Sequence, residues 1–142
     1  MAYKQQIRFF VTERAKGCCE YCMSQEKYAS QAFSIEHIHP EALGGSHDLE
    51  NLALACQGCN NYKYTKVKAL DPESGQIVDL FNPRQELWVE HFSWNENFTV
   101  IIGITSTGRA TVSTLRMNRD FLINQRILFR QHNIHPPEHS LL

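Results

Sequence analysis

Two Cys-x-x-C pairs constrain this chain more than any other feature. "CEYC" holds Cys19 and Cys22, and "CQGC" holds Cys56 and Cys59. Thiolates are zinc ligands, and four of them complete a tetrahedral shell around Zn2+. A redox Cys-x-x-C, or unconnected free thiols, would explain one pair. Two matched pairs favour zinc. A shell of four thiolates leaves no open coordination position, so this zinc is expected to be structural. The fifth cysteine, Cys18, is left over and reads as a partly buried spectator thiol. An odd count with no signal-type apolar stretch in "MAYKQQIRFF" argues against a disulfide framework.

The chain has 142 residues, which suits one domain, 1–142, with a core at 19–70 and an extension at 71–142. A formal net charge of −1 supplies no overall attraction to nucleic acid or to a membrane surface. The longest strongly apolar run, near "FTVIIGI", is far shorter than the ~20 residues of a membrane helix. A soluble, cytoplasmic protein is expected.

Apolar residues at Ile7, Phe10, Val11 and Ala15 predict an N-terminal helix that Gly17 stops. "AFSIEHIHP" predicts a strand, with Phe33, Ile35 and His37 on one face and Ser34, Glu36 and Ile38 on the other. "LENLALAC" reads as the return strand, and "GCNNYKYTKVKAL" as a helix starting at the second cysteine pair. "DPESG" is a turn, and Asn82-Pro83 signals a short helix through Trp88 to about His91. "FTVIIGIT", "STGR" and "ATVSTLRM" predict a β-hairpin. "NRDFLINQRILFRQH" predicts an amphipathic helix capped by Asn118, followed by a loose tail.

Between the cysteine pairs lie Glu36, His37, His39, Gly44-Gly45 and Asn51, and Asn60 follows Cys59 directly. A zinc shell would fix the two halves of this polar set in space. The Glu36 carboxylate and the Asn60 amide are hard oxygen donors of the kind that hold Mg2+ or Mn2+. An imidazole such as His37 beside that metal can act as a general base. Metal, base and open coordination together point to phosphodiester hydrolysis. His39 reads as a solvated residue before proline, and His47 as a loop residue.

The string "CEYC…FSIEHIHPEALGG…LENLALACQGCNNYK" closely resembles the zinc-containing branch of the HNH endonucleases. The resemblance covers residues 19–66. It implies an α+β fold: a ββα-metal core stapled by the four-cysteine zinc, here with an N-terminal helix and a C-terminal hairpin plus helix. It implies a metal-dependent endonuclease cutting DNA, with RNA not excluded. One site nicks one strand, and two copies acting as a homodimer would break both. Glu36 matches the metal-binding acid, where Asp is more usual. His37 matches the general base, and Asn51 the asparagine that braces the loop. Asn60 matches the second metal ligand, where other members have His. Lys63 matches a commonly basic position that suits phosphate contact.

Further phosphate contacts are expected from Lys66, and from Arg116 and Arg119 within a C-terminal arginine series that includes Arg109, Arg126 and Arg130. The rival for that series is a solvated helix face. The rival for the whole chain is a catalytically silent zinc module that binds nucleic acid. A zinc-stabilised interaction domain is a third reading.

Overall fold

The computed structural model describes residues 2–141. Helix α1 (Ala2–Arg14) leads through a turn, with Gly17 at φ +70°, to the first cysteine pair. Strand β1 (Ser34–His37) pairs antiparallel with β2 (Leu52–Ala55), placing Glu36 opposite Ala53 and His37 opposite Leu52. Helix α2 (Gln57–Lys63) follows from Cys56, whose Sγ accepts from the Cys59 backbone N–H. This is the expected ββα order. Both faces of β2 are covered, since Leu52, Ala53, Leu54 and Ala55 are all buried, and Phe33 and Ile38 on either side of β1 are buried as well. Burying such a set supplies the main drive for joining these short elements.

Helix α2 stops at Lys63, earlier than its sequence pattern predicts. Tyr64 adopts φ +51°, and Lys68–Leu70 forms β3, paired with β4 (Ile77–Asp79). The turn between them is held by Asp71, which accepts from the Glu73 and Ser74 backbone and pairs with Arg109 through both carboxylate oxygens. Asn82-Pro83 begins a turn, and helix α3 starts later, over Trp88–His91.

The expected hairpin over "FTVIIGIT" and "ATVSTLRM" does not form. Strand β6 (Ile101–Gly103) pairs backwards with β5 (Phe92–Trp94), and Ser106–Leu115 is helix α4. Thr105 caps this helix by accepting from the Gly108 N–H at 3.0 Å. Gly108 lets the helix lie on the sheet, because a Cβ there would stand 2.0 Å from the His91 carbonyl oxygen.

Asn118 does not cap α5 (Asp120–Gln131). Its amide instead bonds both backbone groups of Ile101, at 2.8 and 2.9 Å. The tail is not loose either. His135 and Ser140 are buried, and Ser140 Oγ accepts from the Trp94 indole at 2.9 Å. No helix among the described residues is long and apolar enough to cross a membrane.

Candidate active site and zinc centre

The four cysteines converge. Cys19, Cys22, Cys56 and Cys59 are all buried, and their sulfurs lie within 4.8 Å of one another. Cys22 and Cys56 Sγ are 3.6 Å apart. Sulfurs at ~2.3 Å from one tetrahedral zinc stand ~3.8 Å apart, so the set fits a Zn2+ ion. Each pair forms a knuckle in which the second cysteine's N–H donates to the first cysteine's sulfur, at 3.4 Å in both. Burial, reinforced by the three neighbouring cysteines, pushes the Cys19 thiol up, while hydrogen bonds from Cys19, Cys22 and Cys59 pull Cys56 down. Cys18 stands apart, and burial raises its thiol to about 11, as befits an inert spectator.

Arg119 belongs to this centre and not to a phosphate-tracking surface. Its guanidinium lies 3.5 Å from Cys56 Sγ and 3.8 Å from Cys59 Sγ. Burial works against its charge, but the Cys59, Cys22 and Cys56 sulfurs outweigh it and raise the Arg119 pKa. A zinc with four thiolates carries two net negative charges, and Arg119 offsets one of them. Arg119→Met is therefore expected to weaken zinc retention by ~10–100-fold, measured by competition with a chelator.

The remaining arginines are also mostly committed to structure. Arg109 pairs with Asp71, Arg126 is buried against the Met117 carbonyl, and Arg130 donates to the Asn97 carbonyl. Arg116 is exposed and lies over the Tyr62 ring at 4.7 Å. Lys66 is exposed as well.

Strand β1 turns Glu36 inward and leaves His37 toward the rim. The Glu36 carboxylate is 4% exposed; it accepts from Tyr21 Oη at 2.7 Å and sits 2.5 Å from Lys63 Nζ. Burial pushes the Glu36 carboxyl up, against the opposing pull of Lys63 and Tyr21. Lys63, expected at the surface, is 1% exposed and donates to the Ile38 carbonyl at 2.8 Å. It is out of reach of a phosphate.

The Mg2+ or Mn2+ implied at Glu36 and Asn60 does not fit this arrangement. The position a dication would take on Glu36 is held by the Lys63 ammonium. Displacing it would leave a buried charge with a single carbonyl as partner. Asn60 is half-buried on the first turns of α2, three residues before Lys63. The pair instead reads as a structural ion pair. Lys63→Met leaves the buried Glu36 carboxylate without a cation, with the Tyr21 hydroxyl as its remaining partner, and should cost about 3–5 kcal/mol in denaturant unfolding. Adding Glu36→Gln should recover part of that loss.

Asn51 braces the loop. Its Oδ1 accepts from the His39 N–H at 2.8 Å, and its Nδ2 donates to the carbonyls of His39 and Ser46, at 2.9 and 2.7 Å. Gly45 closes the same loop so tightly that a Cβ would meet the His39 carbonyl oxygen at 1.7 Å. Only glycine admits that approach.

The loop carries two residues that pattern reading passes over, Glu41 and His47. His37 Nε2 lies 2.9 Å from His47 Nδ1 and 3.2 Å from Glu41 Oε1. The spacing of His37 and Glu41, four apart, is the one signal of their contact in the sequence. His39 points elsewhere, with Nε2 on the Leu43 carbonyl at 3.0 Å.

Residues 19–66 match the HNH endonuclease family model, a span that takes in the zinc centre, β1, β2, α2 and the braced loop. No curated protein and no solved structure matches the chain.

Proposed function

We propose that the region matching the HNH endonuclease model hydrolyses phosphodiester bonds in DNA, with His37 as the general base. The observation that carries this reading is the brace. Asn51 ties the backbone of His39 to that of Ser46, so the segment behind His37 cannot drift. The zinc centre anchors the far ends of the same ββα unit. His37 thus presents an imidazole from a rigid strand end, with its side chain 23% exposed. A base must sit within hydrogen-bond reach of the water it deprotonates, and preorganisation of this kind shortens the search for that geometry.

His37 takes the proton from the attacking water. Asn51 acts through the loop as a positioning residue. Of the expected phosphate contacts, Lys66 and Arg116 are the two that are exposed, both beside Tyr62 of α2, and they would meet phosphates there. Glu36 stays with Lys63 and holds β1 to α2.

The test is a plasmid-nicking assay run with Mg2+, with Mn2+ and with EDTA, beside a gel-shift for DNA binding. Nicking by the wild-type protein supports the reading. Loss of nicking in EDTA, with the cysteine zinc retained, marks dependence on a second ion. DNA binding without nicking under any of these conditions would favour the silent zinc module, in which the same ββα unit binds without cutting.

A further inference from the structure

We propose that His37, Glu41 and His47 form a second metal site, for a transition-metal dication, distinct from the cysteine centre. His37 Nε2 and His47 Nδ1 are 2.9 Å apart, and Glu41 Oε1 is 3.2 Å from the first and 3.4 Å from the second. Ligand atoms held ~2.0–2.2 Å from one ion stand ~2.9–3.5 Å apart in octahedral or tetrahedral geometry. All three distances fall in that interval. Among the described residues, this trio and the four cysteines are the two groups whose ligand atoms converge in this way.

The donor chemistry selects the ion. Two imidazoles and one carboxylate suit Zn2+, Co2+, Ni2+ or Fe2+ and are a poor match for Mg2+, which prefers oxygen. Three atoms bearing lone pairs meet around one point here. A single dication would satisfy all three together. The side chains of Glu41 and His47 are 58% and 76% exposed, so an ion can enter from solvent and keep water in its open positions. The loop is already shaped for this: the Asn51 brace and the close turn at Gly45 hold the segment between His39 and Ser46, which carries Glu41 and leads directly into His47.

A consequence rests on the nuclease reading given above. A metal bound at Nε2 fixes the His37 ring and draws electron density from it, so occupancy of this site and use of His37 as a free base exclude each other. The trio then acts as an inhibitory site, through which zinc-class ions silence the nuclease.

The experiment uses full-length protein already loaded with zinc, titrated with Co2+. The expected result is one additional Co2+ per chain, with ligand-field absorption and no sulfur-to-cobalt charge-transfer band. His47→Ala and Glu41→Gln, both changes of exposed side chains, should lose that equivalent while keeping the cysteine zinc. No cobalt uptake by the wild type, or uptake by both variants equal to wild type, would overturn the site. Nicking is then measured on the same wild-type protein with and without Co2+. Suppression supports the exclusion of base by metal, and stimulation overturns it. Cobalt binding by a protein that nicks no DNA under any condition removes the nuclease reading and leaves the metal site standing.

Discussion

His37→Ala is expected to lower the rate of plasmid nicking by ~10²–10⁴, the range that general-base catalysis contributes. The variant keeps its zinc, its fold and its affinity for DNA, because His37 is a half-buried residue whose side chain bonds only within the exposed loop. The matched control is His39→Ala. Its ring bonds the Leu43 carbonyl, and its backbone bonds to Asn51 survive the substitution. It should cost far less. The measurements are nicking rate, zinc content and DNA binding for both variants beside wild type. Nicking by His37→Ala at the wild-type rate would sink the proposed mechanism. Inactivity of His39→Ala alone would mean that the neighbouring imidazole is the base.

Removal of zinc should unfold the molecule. Cys19 and Cys59 are fully buried, and the four sulfurs tie the α1 turn to the start of α2. A structural zinc contributes about 10–16 kcal/mol in small zinc-dependent modules. A domain of this size has about 5–15 kcal/mol of net stability, so losing the ion removes all of it or nearly all. Cys59→Ser is expected to give protein without a cooperative thermal transition, and a strong chelator should do the same to wild type. Metal analysis finding no zinc in protein never exposed to chelator would refute this, as would an unchanged melting temperature in Cys59→Ser.

Much of the ββα unit was legible because its signals are local. Cysteine pairs carry their own ligand spacing. Alternation along "FSIEHI" marks a strand whatever surrounds it, and Gly44-Gly45 marks a turn. The resemblance to HNH endonucleases rests on these same residues, and the family model matches the same span. The second half carries weaker signals. "STGRATVSTL" is rich in β-branched residues, which are poor helix formers, and its pattern reads as a turn at "STGR" followed by a strand from "ATVSTLRM". It becomes α4 because Thr105 caps it, because Gly108 admits the His91 carbonyl, and because Thr111 Oγ1 accepts the buried Phe81 N–H at 2.9 Å. The cap is local, but His91 and Phe81 are distant in sequence from the segment they fix.

Local sequence is enough to mark which residues could form the zinc shell, which strand bears the acid and the imidazole, and which asparagine could brace the loop. Each follows from residue type and short-range spacing, where geometry is nearly independent of context. Tertiary structure alone decided what the charged residues do. Lys63 and Arg119 were expected at the surface and are instead spent on Glu36 and on the cysteine sulfurs. Glu41 and His47, unremarkable in a loop, are brought onto His37. A long cation has the same character in sequence whether it faces water or a buried anion. Only the packed fold, by removing water from around Glu36 and the sulfurs, makes a partner obligatory and so selects which cation each of them keeps.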